Sequence, residues 1–285
     1  MTTLLVRSAI SRLKGLGTIP TAAMRLLSIA DDPAVTEDRL NEAIELDPTL
    51  SARVLKVVNS AFYRRQREIA STREATRLLG LAAVRNIAIA SGLHRLFRGN
   101  RSVLGFDAVE LWSHALGVAA LSRELAVATR RVAPEEALLA GLLHDLGIIA
   151  EAQLWPAEFA HVIQRMTEGA VTTFRDAERD ALGMSHDETG ALLCEAWNLP
   201  ERFVHVCRYH HDVGPAVAEG LVLPLIVHVA DVLAARAGLG FLTTAETAAP
   251  DPAALAALGL SEADLTRILE VAQESADVLA ATLAD

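Results

Sequence analysis

The chain has 285 residues, a net charge of −10 and a mean hydropathy of +0.30, long enough to bury one large core or two smaller ones. Ala and Leu dominate and aromatics are only 4%, which disfavours a β-protein and points to a helical one. The hydropathy does not imply a membrane protein: the most apolar stretches, 138–150 and 221–235, are interrupted by His144, Asp145, Pro224, His228 and Asp231, short of a clean span of ~20 residues.

Arg7, Arg12 and Lys14 break the N-terminal segment before a signal peptide's apolar region forms. Cys194 and Cys207 lack Cys-x-x-Cys spacing and read as small buried side chains in a reducing cytoplasm, the expected location. Charge is uneven. Residues 51–101 carry eleven Lys/Arg against Glu68 and Glu74, a local excess of +9, while residues 102–285 sum to −17. The split suggests two subdomains, with the basic one facing an anionic partner, docked on the acidic one, or simply bearing solvated arginines.

Helices follow in order. Pro20 opens one through Leu26, Leu27 and Ala30, which Asp31-Asp32-Pro33 ends. Leu40, Ala43 and Ile44 mark the next, before Asp47-Pro48; Leu50, Val54, Leu55, Val57 and Val58 mark a third. Ser71-Thr-Arg-Glu74 is a capping box for a short helix reaching Gly80. Val84, Ile87 and Leu93 carry another, closed by Gly99-Asn100. The expected boundary lies at 104/105. Beyond it, Asp107 and Glu110 read as a cap and its third helical residue, and Pro134, Pro156 and Pro200 suit first helical turns. Ser185-His-Asp-Glu188 is a second capping box, and a looser stretch, 238–252, precedes a closing helix with Leu265, Ile268, Leu269 and Leu279. There are no repeats.

The chemistry-bearing residues are imidazoles and carboxylates. His144-Asp145 lies in the apolar run Ala140-Gly-Leu-Leu-His-Asp-Leu-Gly147, read as a buried helix stopping at Gly147. An ionisable pair in such surroundings is costly unless neutralised, which a metal ion does well. His114 lies one turn after Glu110 on the same face, His186 opens a helix, His210-His211 ends one, and Asp231 interrupts an apolar helix. This set suits Fe, Mn or Zn rather than a thiolate-bound ion, as one or two ions with a shared carboxylate bridging them and activating a water. His94, His161, His205 and His228 read as structural or exposed.

The order His114, His144-Asp145, His186, His210-His211, Asp231 resembles the HD superfamily of metal-dependent phosphohydrolases. Nearly the whole chain resembles its HDOD branch, the HD-related output domains. The N-terminal half carries Ile19-Pro20, Asp47-Pro48-Thr-Leu-Ser-Ala-Arg-Val-Leu-Lys56, Val58-Asn59-Ser60-Ala61 and Leu79-Gly80. The other half carries Leu111-Trp-Ser-His114, Gly141-Leu-Leu-His-Asp-Leu-Gly147, Gly183-Met-Ser-His186, Gly190-Ala191, Trp197-Asn-Leu-Pro200, His210-His211 and Ala230-Asp231.

The resemblance implies an all-α fold: an N-terminal bundle of short helices (1–104) packed with an HD-like helical core (105–285), one module over roughly 10–240 with a C-terminal helical extension. It implies a metal set of Glu110, His114, His144, Asp145, His186, His210, His211 and Asp231, with Asp145 also the candidate catalytic group, and a regulatory role in bacterial signalling. The family is generally regarded as lacking demonstrated hydrolase activity. Glu110 stands where the cyclic-di-GMP-hydrolysing HD-GYP branch has a carboxylate, but Ile148 replaces that branch's lysine, and Asp212-Val-Gly-Pro215 replaces its Gly-Tyr-Pro segment.

The expected function is therefore a cytoplasmic signalling module acting through partner proteins, including proteins of cyclic-dinucleotide pathways, with a nucleotide as an open ligand and a homodimer as an open assembly. The alternative is a metal-dependent phosphodiesterase acting on a nucleotide or cyclic dinucleotide. Nucleic acid is disfavoured as a partner by the acidic whole and sparse aromatics, despite Arg64, Arg65 and Arg67.

Overall fold

The computed structural model describes Leu26 and residues 36–63, 67–98, 105–241, 244 and 246–283. The helix expected between Pro20 and Asp31 (Leu26 apart), the Ile19-Pro20 motif, Arg64, Arg65, Gly99-Asn100 and the 104/105 boundary's leading side lie outside the described residues. Within them every regular element is helical and no strand is present, the all-α fold expected.

In the N-terminal half, α1 (Glu37–Glu45) begins at Thr36 and α2 (Pro48–Val58) at Asp47, whose carboxylate accepts from the backbone of Thr49 and Leu50. A 3-10 turn (Ala61–Tyr63) leads to α3 (Thr72–Leu79) and α4 (Leu81–Arg98). Ser71 accepts from Glu74 N–H as the capping box requires, but the Glu74 carboxylate reaches past it to Ala70 N–H. Asn59 fixes the turn by donating to Ile69 O and accepting from Ile69 N–H. Part of the basic excess is neutralised locally, since Arg73 pairs with Asp38 and Glu45 and Arg67 with Glu74.

The second half runs α5 (Ala108–Thr129), α6 (Pro134–Leu143), α7 (Leu146–Leu154), α8 (Pro156–Thr167), α9 (Phe174–Leu182) and α10 (His186–Ala196). It continues with α11 (Glu201–Tyr209), α12 (Val213–Glu219), α13 (Val222–Arg236), α14 (Pro252–Leu258) and α15 (Glu262–Leu283). Pro134 and Pro156 occupy first turns, whereas Pro200 sits one residue earlier, at the N-cap of α11. The long helix α5 is packed by α6, α13 and α15, and α15 also touches α2, so the last helix ties both halves together. Buried apolar side chains form one continuous core through both.

Two expectations fail. The helix does not stop at Gly147: it breaks at His144-Asp145, and Gly147 lies inside α7. Glycine is needed there for close approach, because a Cβ would stand 2.0 Å from His186 O at the start of α10. Second, Pro134–Leu154 does have the length and apolarity to cross a membrane, although 89% of that window is buried inside the protein. Buried among α4, α5 and α13, this segment is apolar all round because it is central.

Gly147→Ala should destabilise by ~1–3 kcal/mol, the usual cost of overpacking. Gly214→Ala, whose Cβ would meet only Asp212 Oδ1 at 3.6 Å, should leave thermal unfolding unchanged or slightly raised. Equal midpoints for the two variants would contradict the close approach of α7 and α10.

Candidate metal centre

The break between α6 and α7 sets the site. His144 caps the C-terminus of α6, and Asp145, at φ −100° and ψ 14°, precedes α7 without using its carboxylate as a cap. That bridge-region backbone is sparsely populated and recurs at functional positions. His114 projects from α5, His186 is the first residue of α10, His210 and His211 end α11, and Asp231 comes from α13.

Asp145 stands between two groups. Its Oδ1 lies 3.4 Å from His186 Nε2 and 3.5 Å from His210 Nε2. Its Oδ2 lies 3.3 Å from His144 Nε2 and 3.8 Å from His114 Nε2. Asp231 Oδ1 is 3.0 Å from His114 Nε2 and 4.0 Å from His144 Nε2, and His211 Nε2 is 3.0 Å from His186 Nε2. Two ligand clusters thus share one carboxylate: Asp145 with His186, His210 and His211, and Asp145 with His114 and His144.

The outer nitrogens fix what the inner ones present. Nδ1 of His114 donates to Leu239 O (3.2 Å), that of His144 to Gly141 O (2.7 Å), and that of His210 to Cys207 O (2.8 Å). A carbonyl only accepts, so each Nδ1 holds a proton and each Nε2 is the ring atom turned inward, the orientation in which a ring can ligate a metal. His186 Nδ1 meets the Glu178 carboxylate at 2.8 Å, and the same carboxylate accepts from His186 N–H.

A divalent cation fits these residues. Six buried atoms lack a hydrogen-bond partner: Nε2 of His114, His144 and His210, both carboxylate oxygens of Asp145, and Asp231 Oδ1. All six face one another, and each left unsatisfied costs ~1–3 kcal/mol. A cation satisfies them together. Every predicted ligand but Glu110 and His211 is at most 3% exposed.

Charge balance agrees. Burial raises the Asp145 carboxyl, but His144, with His210 and His186, holds it well below the usual carboxylate range. Burial, reinforced by His210 and His186, pushes His211 well down, so it is neutral near pH 7 and competent to ligate. Asp231 is also held low: burial opposes ionisation but His114 outweighs it.

Seven of the eight predicted ligands converge. Glu110 does not: it is exposed in the first turn of α5, where a carboxylate favours the helix dipole, and only its backbone O is used, accepting from Phe241 N–H. The supporting groups escaped the sequence reading. Glu178 on α9 and Glu151 on α7 are both 0% exposed, and Thr189 Oγ1 donates to Glu151 at 2.7 Å. Burial raises both carboxyls well above the ordinary range, and each acts on the other. Glu151 was visible by the criterion that picked out Asp231, since Ile148, Ile149, Ala150 and Ala152 surround it. The segment after α13 was missed too: Leu239 O orients His114, and a Cβ on Gly240 (φ +71°) would lie 2.3 Å from His114 N. His228 is structural as read, donating to His210 O and accepting from Asp251 N–H. Cys194 and Cys207 are buried free thiols outside the ligand set.

An all-helical core aiming histidines and aspartates from five helices at one carboxylate is an HD-type architecture. The family model for the HDOD domain matches residues 16–213, and the chain belongs to that family. An HDOD domain protein of unknown function from Geobacter sulfurreducens superposes with a TM-score of 0.78 at 26% identity, covering 100% of this chain and 99% of that one. A Shewanella amazonensis SB2B protein described as "Putative phosphohydrolase" superposes with a TM-score of 0.71 at 25% identity over 96% and 97%. An uncharacterized protein of Treponema pallidum (strain Nichols) is 27% identical over 235 residues, 80% of this chain and 44% of that protein. The chain therefore spans less than half the length of that relative.

Glu178→Gln, which replaces the carboxyl acceptor for His186 with an amide, should weaken metal binding ~10–100-fold by metal titration; unchanged affinity would refute the orienting role. The raised carboxyls carry a pH signature. Native Glu151 holds its proton more tightly than the unfolded chain does, so its stabilisation is full below the ordinary glutamate range and is lost as pH rises through the native value. In chelator-treated protein, Glu151→Gln should raise the unfolding midpoint over wild type by an amount that grows as pH rises above the ordinary glutamate range. A constant offset would contradict a protonated Glu151.

Proposed function

We propose that this protein is a bacterial signal-transduction component in which a divalent-metal HD centre engages a phosphate-bearing ligand and the helical scaffold reports the bound state to a partner protein. The observation that carries the metal half is the convergence of six unpartnered donor atoms around Asp145. The signalling half rests on membership of the HDOD family and on the site's construction: its ligands come from α5, the α6–α7 break, α10, α11 and α13, so occupancy couples helices that reach both halves of the fold.

His114, His144 and Asp231 would hold one ion and His186, His210 and His211 a second, with Asp145 shared. Bound there, such ions supply Lewis-acid charge and the means to activate a water. The chain's own residues turn imidazole Nε2 atoms inward, hold the rings by carbonyls and Glu178, and bury all of these groups but His211. Fe, Mn and Zn each suit imidazole with carboxylate.

A second reading, metal-dependent phosphohydrolysis, is favoured by the shared carboxylate, the arrangement expected of a two-metal site. Ile148, where the hydrolytic branch has lysine, is 0% exposed and packed in the core, so it offers no grip on phosphate. Losing one such contact commonly costs about a hundredfold or more in rate.

Elemental analysis should find one or two transition-metal ions per chain in wild type and a large loss in Asp145→Asn, with the helical circular dichroism retained. The signalling reading expects little or no turnover of phosphodiesters or cyclic dinucleotides by the fully loaded protein. Sustained turnover abolished by Asp145→Asn would establish the second reading, and metal-free wild type after anaerobic purification with added ions would defeat both.

A further inference from the structure

A phosphate-binding centre needs a cation for the non-bridging oxygens, and position 148 does not provide one. Arg175, on α9, stands beside the start of α10. Its Nη1 is 3.4 Å from Oδ2 of Asp187, the residue next to His186. Its Nε donates to Glu246 Oε1 at 2.7 Å, and its Nη2 donates to Glu246 Oε2, a two-pronged grip on one carboxylate. The three side chains are 15%, 7% and 13% exposed, so this triad is largely buried beside the start of α10 rather than on the open surface. His211, whose Nε2 is 3.0 Å from His186 Nε2, is the half-buried member of the converging set.

The partner carboxylate is built into the site's frame. Glu246 follows the stretch in which Leu239 O receives the His114 proton and Phe241 N–H donates to Glu110 O. Phe241 packs edge-on against Phe106 and Phe174, the residue before Arg175. Leu239 and Glu246, both after α13, thus contact His114 on α5 and Arg175 on α9 respectively. A guanidinium fork that fits both oxygens of a carboxylate fits two oxygens of a phosphate equally well. A tethered carboxylate is present at high effective concentration, so it holds the fork whenever no better anion is bound.

We propose that Arg175 is the phosphate-binding residue of this site, and that Glu246 occupies its fork as an internal stand-in which a phosphate-bearing ligand displaces. Asp187 stays on Nη1 and aims the guanidinium. The inference deepens the metal-centre reading and rests on it: phosphate held by Arg175 is placed beside His211 and the shared carboxylate. It also says how ligand occupancy leaves the site, since displacement of Glu246 releases the segment that orients His114.

The alternative is a tie that merely fastens this segment to α9, and the two make opposite predictions. Inorganic phosphate is titrated calorimetrically into the full-length protein, metal-loaded and chelator-stripped, for wild type, Glu246→Gln, Arg175→Gln and Arg175→Lys, with metal content measured in each. Glu246→Gln should tighten phosphate binding several-fold, Arg175→Gln should weaken it by about tenfold or more, and Arg175→Lys should fall between wild type and Arg175→Gln. Shifts of the same sign in Glu246→Gln and Arg175→Gln, unchanged phosphate affinity in both, or no phosphate binding by wild type would overturn the assignment. Arg175-dependent phosphate binding by a protein that takes up no metal would uphold the phosphate grip and overturn the metal centre instead.

Discussion

A carboxylate stripped of water, with neither oxygen hydrogen-bonded, sits at the middle of this protein, and the remainder of the site is arranged around that charge. Asp145 lies between two helices that would otherwise be one, so its side chain points inward instead of along a helix face. Net folding stability is only ~5–15 kcal/mol for a typical domain. Six unsatisfied donor and acceptor atoms at ~1–3 kcal/mol each are comparable with all of it. Such a cluster persists only where something of opposite charge compensates it, and the Nε2 atoms of His114, His144 and His210 are turned inward to where a cation would sit.

The packing elsewhere serves that arrangement. Gly147 lets α7 approach the start of α10 closely enough for His186 to meet Asp145, and Gly240 lets the chain after α13 lie against α5 so that Leu239 reaches His114. Glu178 is a costly residue to bury, offset by holding both the ring and the backbone of His186. Arg175 and Glu246 continue the same pattern beside the start of α10. A ligand change at any of these points is felt by several helices, because each supporting contact joins two elements.

Much of this was legible in the sequence, for local reasons. Caps at Ser71, Asp107 and Ser185 follow from side chains bonding backbone groups within three residues, and the structure has all three starts; the Asp47 cap was not read from the sequence. The order of histidines and aspartates picked out seven side chains that converge, because polar groups in apolar helices need partners. What escaped depends on tertiary contact. Gly147 looks like a helix stop until α10 is placed against it. Glu110 shares a helix face with His114, yet its side chain turns to solvent while His114 turns inward. The pairings of Glu178 with His186, across eight residues, and of Arg175 with Glu246, across 71, have no local signature. The apolar run 134–154 passes for a membrane span by composition because a central helix and a lipid-facing helix exclude water equally.

The most direct test is anomalous diffraction at the absorption edge of the bound metal, from crystals of protein loaded with Mn, Fe or Zn. The account requires a peak between Asp145 Oδ1 and the rings of His186, His210 and His211, or between Oδ2 and His114, His144 and Asp231, or both, with the carboxylate common to the two positions. Crystals of demonstrably loaded protein with no peak against Asp145, and with its oxygens bonded to ordered water alone, would contradict it.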